Sequence, residues 1–305
     1  MNSKSKLPLG FSTPTELPDQ KSSSDWQEDN RDWWENNPMR YDWRAPINAR
    51  EFSRAFYEEI DKRFFSDADC YAPAKKRPFD EIIPFKKLSD LDVLEIGVGN
   101  GSHAQLLAPH CGTYTGIDLT QYAVTSTRRR FAIFGLKGEI HRMDAESMEF
   151  DDCSFDFIWT WGVVHHSAST ARVLSEMHRA LRPGGQAIVM VYHRSFLYFY
   201  IFNALFRGIL AGGFLATPSL HKLVQRHTDG ALARYYRARE WAALIESHGF
   251  ALESLCIKGQ KSELFPLPPS RFKDALIRNT SSALSRFVLN TCRQGSFLIS
   301  SLRKV

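Results

Sequence analysis

From residue 91 onward the chain alternates short apolar runs with amphipathic stretches. Short apolar runs bounded by turn residues are typical of buried strands, and apolar residues three to four positions apart are typical of helices. Alternation of the two predicts a parallel sheet with helices on both faces. The predicted strands are 91–97, 113–119, 138–144, 155–164 and 186–192.

Helices are predicted between these strands, and a Pro-Gly-Gly sequence is expected to stop the third of them. The predicted helices are 102–110, 123–135, 170–185 and 239–250. Two later apolar segments, 251–259 and 295–304, are expected to pair as an antiparallel edge of the sheet. The pattern therefore predicts an α/β fold with a doubly wound, mostly parallel sheet.

Outside the alternating pattern the composition changes along the chain. Residues 1–25 are polar and rich in Ser and Pro, which predicts a disordered tail. Residues 26–90 are dense in aromatic residues and are expected to form a helical extension. Residues 91–305 form the main domain, in which insertions near 194–237 and 260–294 are expected to cap the sheet.

Residues 196–217 form the most apolar stretch and are long enough to cross a bilayer. Arg207 lies near the middle of this stretch with Asn203 beside it, and elements of one fold flank it on both sides. We therefore interpret it as a helix of the cap and expect no transmembrane segment. Contact with a membrane surface stays open as an alternative.

Charge and cysteine content narrow the class of protein. The 305 residues carry a net charge of +5 with both signs interspersed, so no nucleic-acid partner is expected. The five cysteines are odd in number and scattered without a CxxC pair. This argues against a disulfide framework and against a metal site. It favours a reducing, cytoplasmic setting.

VLEIGVGNG, residues 93–101, carries the candidate chemistry. Gly97, Gly99 and Gly101 follow a predicted strand at alternate positions, where glycine permits a tight turn and close approach of a ligand. A dinucleotide fingerprint has the spacing G-x-G-x-x-G and takes a pyrophosphate. Here the spacing is G-x-G-x-G and an acid, Glu95, precedes it. Both features favour S-adenosylmethionine, which is cationic and has no phosphate.

Two aspartates follow the next strands. Asp118 ends the second strand, where a carboxylate can accept hydrogen bonds from both ribose hydroxyls. Asp144, followed by Ala145, ends the third strand and is placed to take the adenine amino group. Each could instead cap the following helix. Their order at successive carboxyl ends, where open α/β sheets bind ligands, favours the binding role.

Together these stretches resemble class I S-adenosylmethionine-dependent methyltransferases, of the group related to quinone-biosynthesis C-methylases. The resemblance extends over roughly residues 91–192, through VLEIGVGNG, GIDLT, MDAESMEFDDCSFDFIWTWGVVHH and ALRPGGQAIVMVY. It implies a Rossmann-like, seven-stranded sheet whose last strand is antiparallel. The expected cofactor contacts are Glu95, Gly97, Gly99, Gly101, Asp118, Leu119, Asp144, Ala145 and Trp161.

His165 and His166 follow the fourth strand, at the edge where such enzymes bring acceptor and methyl group together. Neighbours on an extended chain point in opposite directions, so one of them is expected to face the cleft. His166 is the preferred general base and His165 the second candidate, if the acceptor must lose a proton. Alternatively, both cap the following helix or bond to backbone.

Aromatic and polar residues around this edge are the candidates for the acceptor site. Tyr192 and His193 end the fifth strand and are expected to contact the acceptor, as is Tyr41; the alternative is that Tyr192 and His193 form a satisfied structural pair. Aromatic residues of the N-terminal extension could form a lid over the cofactor, or pack within the extension. The lid candidates are Trp33, Trp34, Tyr41 and Trp43.

The predicted function is methyl transfer to a small-molecule acceptor at a hydroxyl, amine, thioether or carbon. An amino acid, a natural product or a glycolipid intermediate would fit under the expected cap. Methylation of RNA or protein and non-catalytic binding of the cofactor are the alternatives. A dehydrogenase is disfavoured by the glycine spacing. The sequence leaves the acceptor and the oligomeric state open.

Overall fold

The computed structural model describes residues 22–42, 45–265, 267 and 270–305. Its central sheet is built from eight strands. They are β1 Asp92–Ile96, β2 Thr113–Asp118, β3 Glu139–Arg142, β4 Phe155–Trp161, β5 Leu181–His193, β6 Tyr235–Tyr236, β7 Phe250–Lys258 and β8 Phe297–Lys304.

Seven of these strands form one continuous sheet in the order β3-β2-β1-β4-β5-β8-β7. Strands β1 to β5 pair in parallel, and β8 runs antiparallel between β5 and β7. The prediction of a doubly wound, mostly parallel seven-stranded sheet with an antiparallel edge pair is thus confirmed. Because parallel strands end at the same edge, the carboxyl ends of β1 to β5 lie side by side.

Helices cover both faces of the sheet, as its apolar strands require. Successive residues of a strand point to opposite faces, so Val93 and Phe157 pack on one side while Leu94 and Ile158 pack on the other. The first face is covered by α2 Arg54–Ala68, α3 Ser102–Leu107 and α4 Gln121–Phe134. The second is covered by α5 Thr170–Ala180 and α8 Ala238–Glu246.

The fifth strand begins earlier than its apolar run predicts. Helix α5 ends at Ala180 and β5 begins at Leu181, whereas the sequence pattern predicts helix to 185 and strand from 186. Leu181 pairs with Phe155, and an irregularity in the register separates this pair from Phe157 and Gln186. The Pro-Gly-Gly sequence therefore lies within an irregular strand. The two-residue strand β6, which pairs with the end of β5, was not predicted.

The N-terminal extension is helical and lies against the main domain. Helix α1 spans Ser23–Asn36 and is opened by a capping box at Ser22, so residues 23–25 are helical although the sequence places them in the tail. Helix α2 is fixed to α4 by an ion pair between Asp61 and Arg130, 2.9 Å apart, with the Arg130 side chain fully buried.

The two segments that are expected to form the cap, 194–237 and 260–294, are mostly helical in their described residues. Their longest element is a π-helix, Phe196–Leu210. The shorter helices are α6 Gly213–Ala216, α7 Leu220–Gln225, α9 Arg271–Asn279 and α10 Ser282–Arg286, together with a 3-10 helix, Lys261–Leu264, and a second, short π-helix, Phe287–Thr291. Below, the name π-helix refers to Phe196–Leu210. Within the described ranges, none of the helices has the length and apolar character needed to cross a bilayer.

Candidate active site

The turn after β1 is built around glycines in left-handed conformations. Gly97, Gly99 and Gly101 have φ angles of +83°, +53° and +78°. A Cβ atom on Gly97 would lie 2.1 Å from Cγ2 of Val163, so no larger residue fits at this position. A Cβ on Gly99 would meet no atom within 4 Å. Gly99 therefore presents bare backbone to open space, as close approach of a ligand requires.

The carboxylate of Asp118 ties this turn to the end of β2. Its Oδ2 accepts a hydrogen bond from the Gly99 amide (3.1 Å), and its Oδ1 accepts from the Thr120 amide (3.0 Å) and hydroxyl (2.8 Å). Burial raises the pKa of Asp118. These donors fix the orientation of the carboxylate, one side of which lines a large cavity.

Asp144 lies at the neighbouring strand end and contacts α1. Its Oδ1 accepts from the side-chain amide of Gln27 (2.8 Å) and from the backbone amide of Glu146 (2.9 Å). The side-chain oxygen of Gln27, Oε1, in turn accepts a hydrogen bond from the backbone amide of Ala168 (3.0 Å). Gln27 thereby connects the end of β3 to the loop that follows β4. The sequence pattern gave no signal for this role.

The rest of α1 also contacts residues around the carboxyl edge. Asn30 donates a hydrogen bond to the carbonyl of His166, and the Trp34 ring meets the His166 ring edge-on at 5.1 Å. Glu35 accepts from the first backbone amides of α4, at 2.7 and 3.0 Å. Helix α1 therefore lies over the strand ends. Of the lid candidates Trp34 and Tyr41 line the cavity and Trp33 does not; Trp43 falls outside the described residues.

Glu95 lies away from the cavity, whereas the sequence predicts that it contacts the cofactor. Its side chain is 1% exposed, accepts a hydrogen bond from the Tyr114 hydroxyl (2.7 Å) and is not among the residues that line the cavity. Burial raises the pKa of Glu95 to about 8. A direct contact with a cofactor thus stays a prediction, which the position of the side chain does not favour.

The cavity, of about 770 Å³, runs from the glycine turn to the cap. Of the expected cofactor contacts, the structure gathers at one end Gly97, Gly99, Asp118, Leu119, Asp144 and Ala145. Gly101 does not line the cavity, since it lies one turn away against Thr127 and Arg130. Trp161 lines the cavity farther in, stacked between Trp159 and Tyr71 at centroid distances of 5.4 and 5.9 Å.

The other end of the cavity is an aromatic chamber. Tyr192 is at its centre, stacked on Tyr235 at 5.2 Å and lying parallel to Phe297 at 6.3 Å. Tyr198 and Phe202 of the π-helix close it from the cap side. We define the aromatic chamber by its aromatic lining, which comprises Tyr41, Phe64, Tyr71, Tyr192, Tyr198, Phe202, Tyr235, Phe265 and Phe297.

The ionisable lining of the whole cavity is acidic, although the chain has a net charge of +5. Lys273 is the only Lys or Arg among the described lining residues. Asp229 makes no hydrogen bond or ion pair with any residue in the described part of the chain; it remains solvent-exposed within the open cavity, and partial desolvation raises its pKa. The carboxyl groups of the lining are Asp67, Asp118, Asp144, Asp229, Glu263 and Asp274.

The two adjacent histidines have different surroundings. His166 lines the cavity, and its Nδ1 lies 2.7 Å from the carbonyl oxygen of Leu232. A carbonyl only accepts, so Nδ1 carries the proton and Nε2 keeps its lone pair. Burial lowers the pKa of His166 to about 4, which keeps the ring neutral near pH 7. His165 is fully buried against the Tyr192 ring at 3.9 Å and does not line the cavity.

Of the expected acceptor contacts, Tyr41 and Tyr192 line the chamber and His193 does not. His193 Nδ1 donates to the carbonyl of Gly295 (2.8 Å), so this ring nitrogen is bound to backbone. Tyr41 stacks on Phe64 at 5.1 Å.

No group of three or more His, Cys, Asp or Glu side chains within the described ranges is arranged to hold an ion. All five cysteines are free thiols.

Comparison with known proteins identifies the domain. The model of a methyltransferase domain family matches residues 94–189, which hold the glycine turn, Asp118, Asp144 and both histidines. These residues form a class I S-adenosylmethionine-dependent methyltransferase domain. S-adenosylmethionine is the cofactor of this family.

Several relatives match about a third of the chain. One is a phthiotriol/phenolphthiotriol dimycocerosates methyltransferase of Mycobacterium tuberculosis, 38% identical over 100 residues, which are 32% of this chain and 36% of that protein. Another is a phosphatidylethanolamine N-methyltransferase of Cereibacter sphaeroides, 34% identical over 32% of this chain and 49% of that protein. The chain thus spans between a third and a half of the length of these relatives.

A solved structure has the same fold over a longer stretch. A S-adenosylmethionine-dependent methyltransferase from Methanosarcina mazei, 19% identical, covers 73% of this chain and 97% of its own length with a TM-score of 0.52. At this identity the likeness concerns the fold alone.

The residues at the cofactor end fit S-adenosylmethionine. The open space beside Gly99 admits a ligand against the backbone, and Asp118 lines the same cavity. The lining there carries Asp118 and Asp144 without a Lys or Arg, which suits a sulfonium and an ammonium and disfavours a pyrophosphate. Asp118 would hold the ribose, and Leu119, Asp144 and Ala145 would surround the adenine.

We expect Gly97→Ala to unfold the glycine turn. The new Cβ collides with Val163 and must also adopt a positive φ, so the variant should lose about 2–4 kcal/mol of stability and at least about tenfold in cofactor affinity. Gly184→Ala is the matched control, because Gly184 has φ +76° and open space around it. Urea unfolding and calorimetry with S-adenosylhomocysteine measure both quantities. Equal losses in the two variants would contradict the steric argument.

The buried Glu95 should make stability depend on pH. Its folded pKa is about 8 and the ordinary value of a glutamate side chain is 4.5, so between these values the unfolded chain loses a proton that the folded chain keeps. Its contribution to stability is therefore present below about pH 4.5 and is lost as the pH rises to about 8. Glu95→Gln should be more stable than the parent by a few kcal/mol above about pH 8, and close to it near pH 5.

Urea unfolding at both pH values measures this difference. Glu149→Gln changes an exposed carboxyl and serves as the control. A stability difference between Glu95→Gln and the parent that does not change with pH would show that Glu95 is ionised in the folded state.

Proposed function

We propose that the chain transfers the methyl group of S-adenosylmethionine to a small-molecule acceptor bound in the aromatic chamber. One observation carries this proposal: the cofactor end and the chamber are parts of a single cavity, and Trp161 and His166 line it between α1 and the cap. A cavity bounded in this way suits a small acceptor better than RNA or a protein surface. The relatives quoted above, whose names refer to lipid-like acceptors, support the same class.

We further propose that the acceptor presents a hydroxyl or an amine. The chamber offers the Asp229 carboxylate and several tyrosines, which accept hydrogen bonds from such groups. An acceptor whose own charge is negative would meet the surrounding carboxyl groups in a partly desolvated space, and like charges there are costly. Aromatic rings also favour an apolar or cationic neighbour over an anion.

In the proposed mechanism most of the cavity residues position the acceptor, and one residue, His166, transfers a proton. When bound, the cofactor supplies an electrophilic methyl group on a sulfonium. Tyr41, Tyr192 and Asp229 hold the acceptor, and α1 and the cap exclude water. Positioning of this kind is worth effective molarities of about 10⁵–10⁸ M when the two reactants are well aligned. His166 accepts the proton of the acceptor at Nε2, while the Leu232 carbonyl holds Nδ1–H and fixes the ring.

The proposed function is tested by turnover on pooled small molecules. The chain is incubated with S-adenosylmethionine and fractions of hydroxyl- and amine-bearing metabolites or lipids, and products are read by mass spectrometry. We expect S-adenosylhomocysteine together with a product heavier by one CH₂. Binding of S-adenosylhomocysteine without turnover on any fraction would instead favour a non-catalytic binding protein.

We expect His166→Ala to lower kcat by about 10²–10⁴-fold while the Kd of S-adenosylhomocysteine changes by less than about twofold. His193→Asn is the control, since His193 lies outside the cavity and Asn can keep a donor toward Gly295. Unchanged turnover in His166→Ala would remove the residue from the mechanism.

The pH profile of the parent adds an independent check on His166. Because the pKa of His166 is about 4, the acidic decline of kcat that it causes should fall below about pH 5. A decline near pH 6.5 that His166→Ala abolishes would show that the ring is solvated during turnover.

A further inference from the structure

The outer surface of the cap carries a cluster of exposed apolar side chains. Ile209 and Leu210, at the end of the π-helix, are 64% and 66% exposed, and Leu215 in α6 is 92% exposed. Leu205 and Phe206 lie one turn earlier and are also exposed. Single exposed apolar residues are ordinary on protein surfaces, but a group of five within eleven positions marks a contact surface.

The same helix forms a wall of the aromatic chamber. Tyr198 and Phe202 line the cavity, and Phe199 and Asn203 are buried between the helix and the domain. Helix α7 packs against the π-helix, and Lys273 of α9 lies 5.8 Å from the Phe202 ring. A single layer of helix therefore separates the chamber from the exposed apolar cluster.

The cap segments that carry this cluster are basic. Residues 194–228 contain no Asp or Glu, whereas Lys222 of α7 and Arg226, which directly follows α7, are exposed. Helix α9 adds an exposed Phe272 between basic residues, with Asp274 as its one acid. We call this combination of exposed apolar and basic side chains on the cap the basic apolar face. It comprises Leu205, Phe206, Ile209, Leu210, Leu215, Lys222, Arg226, Arg271, Phe272 and Arg278.

The chemistry of this face fits an anionic lipid surface. Apolar side chains enter the boundary between head groups and acyl chains, and flanking cations attract anionic head groups. The described helices cannot cross the bilayer, so contact would be limited to its surface. A second copy of the chain fits less well, because a twofold interface places the same basic residues of both copies opposite each other.

We propose that the basic apolar face docks on an anionic membrane surface and thereby presents the chamber to a lipid-borne acceptor. The part about the acceptor rests on the proposed function, since it names the source from which the acceptor arrives. The docking itself requires neither cofactor nor turnover. The apolar chamber wall then lies next to the lipid phase, from which an acceptor can enter without crossing water.

Vesicle binding of the full chain tests the docking. The chain is mixed with vesicles of phosphatidylcholine, with or without phosphatidylglycerol, and the bound fraction is measured by flotation. We expect strong binding to the vesicles that contain phosphatidylglycerol, much weaker binding to phosphatidylcholine alone, and a loss of binding as salt is added. Equal binding to both compositions, or binding to neither, would overturn the proposal.

Two double variants test which surface binds. Ile209→Asn with Leu210→Asn removes apolar area, and Lys222→Glu with Arg226→Glu reverses charge. Each should weaken vesicle binding by at least about tenfold. The control is Lys86→Glu with Lys87→Glu, because these exposed lysines precede β1 at the opposite end of the sheet. Binding that is lost only in the control would place the contact elsewhere and contradict the proposal.

Further measurements separate this inference from the proposed function. Calorimetry with S-adenosylhomocysteine shows that each variant retains its fold and cofactor site. If the chain methylates a detergent-dispersed acceptor but does not bind vesicles, the docking proposal is wrong and the proposed methyl transfer is retained. Sedimentation velocity measures self-association. If the chain self-associates, does not bind vesicles, and loses its self-association in the Ile209→Asn, Leu210→Asn variant, the face is a contact with a second copy and the docking proposal is wrong.

Discussion

The carboxylate of Asp118 is the contact on which the site depends. It accepts hydrogen bonds from Gly99 on one side and from Thr120 on the other, so one side chain fixes both the glycine turn and the start of α4. Glycine at position 97 is required for the same geometry, because Val163 from the loop after β4 occupies the place of a side chain. Two neighbouring strand ends thus hold a turn that would have little stability alone.

The elements around this turn determine what the domain can accept. Helix α1 lies over the strand ends through Gln27 and Asn30, and the cap lies over the chamber through the π-helix. An acidic cavity inside a basic chain admits cations and neutral polar groups and disfavours anions. The basic exterior of the cap has the opposite preference. The two surfaces can therefore recognise different parts of their surroundings, one a cofactor and acceptor and the other a membrane.

The sheet could be predicted from sequence because its strands are covered on both faces and stand out as apolar runs. The positions of Asp118 and Asp144 followed from the strand ends. Contacts across long sequence separations could not be predicted: no local pattern connects Gln27 with Asp144, or Asp61 with the buried Arg130. The direction of individual side chains was the other feature in which the structure differs from the sequence-based expectation. Glu95 points to Tyr114, and Gly101 and His193 do not line the cavity.

The central claim is that the Asp118 turn seats the nucleoside of S-adenosylmethionine at the open end of a cavity shared with the acceptor. A crystal structure of the full chain with S-adenosylhomocysteine tests it most directly. The account predicts the ribose hydroxyls within hydrogen-bonding distance of Asp118, the nucleoside against Gly99, and the sulfur directed toward Trp161 and the aromatic chamber. A nucleoside bound elsewhere, or a ribose that does not contact Asp118, would contradict it.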